Sequence, residues 1–207
     1  MSTLSPAGPV ARDIAWLWWA MLGGAAALTL LVLVLLAMAF GRPRAVSPRR
    51  WTHGLGLWFS MAVLTTTLAA GLWVGERILP RDDGAITVEA HAYQWGWEFT
   101  QPGPDGPVVT SDVLTIPAGQ PIDVLITAED VIHSFWVPQL GGKMDAIPGR
   151  TNRLRLQADA PGTLGGLCAE FCGLGHAAMR FELRVIAPED WPPADWSTPL
   201  TEDPADD

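Results

Sequence analysis

Four metal-ligand side chains lie within the twelve residues from Cys168 to Met179. Cys168, Cys172, His176 and Met179 follow one another with the spacing C-x3-C-x3-H-x2-M. Two thiolates, an imidazole and a thioether are ligands that copper favours. Zinc usually takes four Cys or His ligands without Met, and a single blue copper needs one Cys with two His. The second cysteine therefore favours two coppers bridged by two thiolates.

Such a site needs a second imidazole, and the chain has four histidines. His53 lies in an apolar run and His91 in a strand-like segment. His133 follows a strongly alternating segment, and blue-copper folds bring a His from such a strand end to a C-terminal ligand loop. His133 is therefore the candidate. Taken alone, Cys168 and Cys172 are as typical of a disulfide as of a metal site, so the copper interpretation depends on the joint pattern.

The elements that must position these ligands are short strands. Alternating segments separated by Gly, Pro and Asp turns occupy residues 84–188, with period two clearest in 121–127, 152–157 and 180–186. This pattern of alternating segments and turns predicts an all-β sandwich with Greek-key connections. The ligand loop is rich in glycine and lies between two strand-like segments, so the sandwich would hold it. A sandwich by itself says nothing about chemistry.

Two uncharged apolar runs precede the strands, in residues 14–40 and 51–75. Each exceeds the roughly 20 residues that cross a hydrocarbon core as a helix. Buried helices of a soluble protein are one alternative, and a cleaved signal peptide is another for the first run. The first run is longer than a signal h-region of about 7–15 residues. We expect two transmembrane helices, one from near Ile14 and one from about Trp51 to Leu79, closed by Pro80.

Charge divides the chain. Residues 1–80 carry six Lys or Arg and two Asp or Glu, and residues 81–207 carry seven and twenty, giving net charges of +4 and −13. The connection between the apolar runs holds four arginines and no acid, and basic short loops stay cytoplasmic. Both termini are therefore expected in the periplasm. The acidic part should attract basic partners and repel nucleic acid.

These boundaries predict four segments. They are an outer N-terminal tail (1–13), a two-helix membrane anchor (14–80) with a basic cytoplasmic loop (41–50), a periplasmic domain (81–190) and an acidic flexible tail (191–207). Trimming of the first few residues is left open.

The whole pattern resembles subunit II of haem–copper cytochrome c oxidases, the subunit that carries the CuA centre. The resemblance is greatest in residues 133–138 (HSFWVP), 143–150 (KMDAIPGR) and 168–179. It implies a cupredoxin domain after a two-helix anchor. It also implies a bacterial inner-membrane protein with its copper domain on the periplasmic side.

The resemblance implies a role for each ligand. Cys168 and Cys172 would bridge both coppers, and His133 and His176 would each bind one. Weak ligands would be Met179 and the backbone carbonyl of Glu170. The Glu170 carboxylate would also reach a magnesium ion shared with subunit I.

The aromatic run Tyr93–Phe99 has a second implied role. Trp95 matches the first Trp of the family's Q-W-x-W run, which receives the electron from cytochrome c. Glu129 and Asp130 match family acids that would help dock the basic cytochrome c. The resemblance then implies transfer from the copper pair to haem in subunit I, where oxygen is reduced to water and protons are pumped. Haems would belong to the partner, and subunit III and membrane lipid would be further partners.

Two departures qualify this resemblance. The family's Glu near the inner start of the second helix is missing, so the proton path stays open, and Gly96 stands where another aromatic is usual. The sequence has no C-x-x-C-H haem motif, so a separate cytochrome c is the expected donor. The alternatives are the CuA subunit of a haem–copper nitric oxide reductase or a membrane-tethered copper-binding module. Quinol oxidase subunits share the fold but lack the copper ligands.

Overall fold

The computed structural model describes residues 2–41, 45–81 and 83–193. Part of the predicted basic loop, including Arg42 and Arg44, and most of the predicted C-terminal tail lie outside the described residues. The chain divides into two compact units, Asp13–Arg77 and a second unit that joins Met1–Arg12 to Ile78–Asp207. Two apolar helices followed by a β-sandwich confirm the predicted fold class.

The first unit is the anchor. It contains most of α1 (Pro9–Ala39), a π-helical segment (Arg50–Phe59) and all but the last residue of α2 (Ser60–Ile78). In each of the two helical spans, the most apolar stretch of 18 residues has a high mean hydropathy, 2.5 in the first span and 1.6 in the second. No residue of either stretch is buried. An apolar surface of this length and exposure is suited to lipid or to other membrane helices. The chain is membrane-anchored.

The start of α1 differs from the prediction. The helix begins at Pro9 rather than near Ile14, so residues 9–13 are helical and do not belong to an extended tail. Proline suits a first helical turn because its φ is preset and its missing N–H has no intrahelical acceptor there. The uncharged run marks the apolar span, but a helix can continue beyond it. The end of α2 at Ile78 lies one residue before the predicted Leu79.

The residues before α1 pack against the β domain. The Ala7 N–H donates to the Gln139 carbonyl at 2.8 Å, and the Ala7 carbonyl accepts from Asp159 N–H at 2.9 Å. A Cβ at Gly8 would lie 2.1 Å from the Gln157 carbonyl oxygen, so only glycine fits that contact. Arg12 also forms an ion pair with Asp159. Most of the predicted tail is therefore part of the second unit.

The second unit is a sandwich of two five-stranded sheets. One sheet has the order β3-β2-β1-β5-β8, and the other has the order β4-β10-β9-β6-β7. The strands are β1 (Ile86–Tyr93), β2 (Gly96–Gly103), β3 (Gly106–Ser111), β4 (Val113–Pro117), β5 (Ile122–Ala128), β6 (His133–Trp136), β7 (Met144–Ala146), β8 (Asn152–Leu156), β9 (Gly162–Cys168) and β10 (Arg180–Ile186). Alternating residues of both sheets face a shared apolar core.

Four aromatic rings fill the core beneath the ligand residues. Trp97, Phe99 and Phe135 are fully buried, and Phe181 is 5% exposed. Phe135 and Phe181 stack with centroids 4.7 Å apart, and Trp97 meets Phe135 edge-to-face at 5.6 Å. The Phe181 ring lies across Gly166 on the neighbouring strand, where a Cβ would be 2.1 Å from the ring. This rigid core fixes β6, β9 and β10, which carry or flank the ligands.

A buried ion-pair network holds the connection that follows α2. Asp123 is 2% exposed and accepts from Arg153 at 2.6 Å and from Arg155 at 2.9 Å. Arg155 also reaches the Asp83 carboxylate at 2.7 Å and the Arg81 carbonyl at 2.6 Å. Burial alone would raise the pKa of Asp123, but the hydrogen bonds from Arg155 and Arg153 outweigh it and lower the pKa.

Replacing Asp123 with Asn is expected to destabilise the chain by about 1–3 kcal/mol, because it removes the buried carboxylate that accepts hydrogen bonds from both Arg153 and Arg155. The lowered pKa means that this stabilisation is present above the unfolded value near 3.8 and is lost as pH falls through the folded value. Thermal unfolding of the full chain in detergent measures both effects. The matched control is Asp105→Asn at an exposed turn position. An unfolding midpoint equal in the two variants would contradict the network's role.

Candidate metal centre

Two cysteine thiols form the middle of the candidate centre. Cys168 ends β9 and Cys172 lies in the loop that follows, and both are 3% exposed. Both are free, and their Sγ atoms are 3.8 Å apart. A disulfide requires a separation of about 2.05 Å, so the structure has two adjacent buried thiols and no disulfide. Two thiols at this distance can bind the same metal ion.

The predicted histidines and methionine surround the thiols. His133, at the start of β6, places Nδ1 3.9 Å from Cys168 Sγ and 3.2 Å from Met179 Sδ. His176, in a short 3-10 turn, places Nδ1 3.7 Å from Cys172 Sγ. Met179 Sδ lies 3.7 Å from Cys172 Sγ. The structure therefore brings together side chains from β6, from the loop and from the start of β10.

The Glu170 backbone carbonyl belongs to the same cluster, because its oxygen lies 3.2 Å from Cys168 Sγ. The Glu170 carboxylate lies 3.8 Å from Lys143 Nζ on the surface and is about half exposed. The carboxylate and the carbonyl of this residue thus have separate environments. The predicted magnesium contact of the carboxylate stays a prediction.

The donor set fits copper. It offers two thiol sulfurs that can bridge, two imidazole nitrogens and a thioether, which are soft or borderline donors that copper accepts, and the Glu170 carbonyl oxygen as a harder, weak donor. Within this set, the ligand atoms of His133, Cys168 and Cys172 all lie within 4.8 Å of one another. Burial, and then the neighbouring Cys168, raise the pKa of the Cys172 thiol to about 11. Metal binding must therefore displace a proton, and apparent affinity rises with pH.

Asp130 orients His133 from the side opposite the sulfurs. Its Oδ1 accepts from His133 Nε2 at 2.9 Å, and His133 Nδ1 faces the thiols. The same carboxylate accepts from the Gln94 N–H at 2.9 Å and the Val131 N–H at 2.7 Å. Burial would raise the pKa of Asp130, but hydrogen bonds from His133, Val131 and Gln94 lower it. The carboxylate is a fixed anionic acceptor.

The exposed Trp95 lies directly against the ligand loop. It is 43% exposed, and its indole Nε1 donates to the Cys172 carbonyl at 3.2 Å. The Gln94 side chain donates to the same carbonyl at 2.6 Å. A Cβ at Gly175 would lie 2.4 Å from the Trp95 ring, so glycine allows the indole to lie flat on the loop. One side of the indole is therefore exposed to solvent, and its Nε1 is hydrogen-bonded to the backbone of Cys172, a candidate ligand.

Comparison with known proteins gives the family. A family profile described as the periplasmic domain of cytochrome c oxidase subunit II matches residues 107–186. The solved periplasmic domain of subunit II of cytochrome oxidase from Bradyrhizobium japonicum is 31% identical, with a TM-score of 0.50. The match covers 55% of this chain and 91% of that domain. This chain belongs to the cytochrome c oxidase subunit II family. The family is copper-binding, so copper is the metal expected at the two thiols.

Curated family members extend the match into the anchor. Cytochrome c oxidase subunit 2 of Alkalihalophilus pseudofirmus is 40% identical over 109 residues, which is 53% of this chain and 31% of that protein. The alternative cytochrome c oxidase subunit 2 of Bradyrhizobium diazoefficiens is 32% identical over 183 residues, 73% of this chain and 65% of that one. The matches thus span about a third and just under two thirds of these relatives.

Sequence reasoning placed Asp130 on a docking face and missed its bond to His133. The spacing Asp130-x-x-His133 was visible, but an acid three residues before a histidine is common on surfaces. Gln94 and Gly175 were also missed, because their contacts join segments far apart in the chain. Glu129, by contrast, has a side chain that is 72% exposed and near His91, at 4.0 Å. Its docking role stays a prediction.

The substitution Asp130→Asn distinguishes a role of Asp130 in docking from its role in orienting His133. The amide cannot serve as an anionic acceptor for His133, so copper affinity is expected to fall about 10–100-fold, the usual cost of losing such a partner. The absorption and paramagnetic resonance spectra of bound copper should change as well. Glu129→Gln is the matched control, with an unchanged spectrum and only a weaker, salt-dependent association with a basic partner. Identical copper spectra for both variants would assign Asp130 to the surface alone.

Proposed function

We propose that this chain is the electron-accepting subunit of a membrane-bound haem–copper terminal oxidase. It would receive electrons from cytochrome c at a binuclear copper centre and pass them to haem in subunit I, where oxygen is reduced to water and protons are pumped. One observation carries the proposal. Two free buried thiols lie in one cluster with His133, His176 and Met179, beneath the exposed Trp95.

The distances support the ligand roles that the family resemblance implies. Cys168 and Cys172 would bridge, His133 and His176 would bind through Nδ1, and Met179 and the Glu170 carbonyl would be weak ligands. Bound there, the copper pair would supply a reversible one-electron carrier. The polypeptide would hold the ligands in the same positions before and after the electron arrives.

The fold supports such rigidity. The ligand loop is closed at its base by a hydrogen bond from Cys168 N–H to the Met179 carbonyl at 3.0 Å. Ala169 N–H donates to the Ser134 carbonyl at 2.9 Å, which ties the loop to β6. His133 is clamped between Asp130 and the sulfurs. A preorganised site of this kind changes little on reduction, and electron transfer with little rearrangement is fast.

The route to the cluster begins at Trp95. Its indole is the one large aromatic of the 93–99 run that is exposed, whereas Trp97 is fully buried. The hydrogen bond from Trp95 to the Cys172 carbonyl gives a direct through-bond connection to a thiol ligand. Glu129 and Asp130 would contribute to the acidic surface that steers the donor. Subunit I, subunit III and a magnesium ion at the Glu170 carboxylate complete the proposed assembly.

The proposal includes the orientation of the chain. The basic segment 41–50 would be cytoplasmic, and the sandwich, 81–190, and both termini would be periplasmic. A bacterial inner membrane and a basic cytochrome c in the periplasm match this charge distribution.

Paramagnetic resonance of the full chain, purified in detergent and loaded with copper, tests the central claim. Two equivalent copper nuclei sharing one unpaired electron give a seven-line hyperfine pattern, with two coppers per chain by elemental analysis. A four-line pattern with one copper per chain would show a mononuclear site. Co-purification of a haem–copper subunit that consumes oxygen then separates the oxidase from the nitric oxide reductase and from an independent copper-binding module.

A further inference from the structure

An apolar groove runs along the anchor between α1 and the π-helical segment. Its half-buried floor is formed by Leu31 and Leu35 of α1 and by Leu55 of the π-helical segment. Leu28 and Phe59 form an exposed rim. The groove has a volume of about 320 Å³. Because a water-sized group occupies about 30 Å³ in a liquid, the groove holds on the order of ten groups of that size.

The π-helical geometry produces this groove. Hydrogen bonds from residue i to i+5 widen the helix and align residues four or five apart. Trp51, Leu55 and Phe59 therefore share one face, and Gly56 adds no side chain to it. Ser60, which also lines the groove, donates from its Oγ to the Leu55 carbonyl at 3.3 Å. The side chains of Trp51, Leu55 and Phe59 make the face apolar, as lipid contact requires.

Positive charge stands at one end of the groove. Arg49 and Arg50 directly precede Trp51, which lines it, and both are exposed. Among the described residues, neither guanidinium has an acidic partner. The sequence of segment 41–50 contains no Asp or Glu at all. A ligand that fits both features has a long apolar part and an anionic group at one end.

We propose that the groove and the two arginines bind one anionic phospholipid. One acyl chain lies along Leu31, Leu35 and Leu55, and the phosphate lies at Arg49 and Arg50, where guanidinium groups form charge-assisted hydrogen bonds to phosphate oxygens. A helix from a partner subunit would fill the groove with side chains but would bring no anion to the arginines. The charge at the groove's end therefore favours the lipid.

Native mass spectrometry of the full chain in detergent tests this site, with phosphatidylglycerol or phosphatidylcholine added. In the double variant Arg49→Gln, Arg50→Gln, phosphatidylglycerol binding is expected to weaken about 30-fold, the effect of two surface arginines, while phosphatidylcholine binding is unchanged. Gly56→Leu, which fills the groove, should weaken binding of both lipids. The matched control is Gly75→Leu, where a new Cβ meets nothing within 4 Å. Arg77→Gln controls for charge elsewhere in the anchor.

Two outcomes would overturn the proposal. Phosphatidylglycerol binding that depends on the arginines but not on Gly56→Leu would show headgroup adsorption without a groove site. A photo-crosslinker at Leu55 that captures a protein helix in the assembled complex, and no lipid, would assign the groove to a subunit contact. Circular dichroism of each variant checks that the helices remain folded, so a loss of lipid binding can be attributed to the site.

Discussion

Replacing Cys172 with Ser is expected to convert the site from two coppers to one. Its Sγ lies between Cys168 Sγ, His176 Nδ1 and Met179 Sδ, each at 3.7 to 3.8 Å, so its removal takes away a contact from three other ligands. A hydroxyl is a much weaker bridge than a thiolate. The seven-line resonance should be replaced by a four-line one, and copper content should halve. Affinity should fall by more than the roughly 100-fold that follows loss of an outer hydrogen-bonding partner.

Met179→Leu is the matched control for the loss of Cys172. Both side chains are buried, at 1% and 3% exposure, so both substitutions test core positions of the ligand loop. Leucine keeps the volume of the thioether side chain, and removal of a weak ligand should leave two coppers bound with an altered spectrum. Two coppers bound to Cys172→Ser would contradict the bridging role. Loss of all copper from both variants, with a lower unfolding temperature, would instead indicate a damaged loop.

The four donors of the ligand loop were predictable because they lie close together in the sequence. The C-x3-C-x3-H-x2-M spacing places four donors on one loop, and a loop between two strands keeps them close whatever the details of the sandwich. His133 was predictable from its place after an alternating segment, although it comes 35 residues before Cys168. Strand ends and the loops that follow other strands come together at one end of a sandwich. This geometry predicted that His133 would lie near the ligand loop.

Contacts that depend on packing were not predictable. Gln94 reaches Cys172 across 78 residues, and Asp130 reaches Gln94 across 36. Nothing in the composition of either segment identifies its partner. The same holds for Ala7, whose hydrogen bonds to Gln139 and Asp159 make the N-terminal residues part of the same unit as the sandwich. Helix limits depend on such contacts as well, which is why α1 begins before the uncharged run that predicted it.

The π-helical segment left no mark in the sequence that hydropathy could detect. Residues 51–59 have the same, mostly apolar composition in either helical form, and the difference lies in how the backbone hydrogen bonds are made. Gly54 and Gly56 lower the preference for a regular α-helix, but glycine in a membrane helix is common. The groove that carries the lipid proposal could therefore be found only in the structure.

Replacing Trp95 with Leu is expected to slow electron acceptance from cytochrome c without changing the copper site. The indole is exposed on one side and hydrogen-bonded to the Cys172 carbonyl on the other. Leucine removes both the aromatic surface and that bond, and misplacement of reacting groups by about 1 Å already costs about 100-fold. Stopped-flow reduction of the copper-loaded chain by cytochrome c should show a fall of at least that order. Copper content and resonance pattern should stay as in the wild type.

Two further variants decide what the Trp95 effect means. Trp136→Leu is the matched control, because Trp136 is half-buried and its Nε1 also donates to a carbonyl, that of Gly141 at 3.0 Å. Its reduction rate should stay near that of the wild type. Gly175→Ala keeps the indole but forces it off the loop, since the new Cβ would lie 2.4 Å from the ring. An intermediate rate for Gly175→Ala would show that the position of the ring matters. Equal slowing by Trp95→Leu and Trp136→Leu would remove Trp95 from the path, because a general loosening of the sandwich would then explain both.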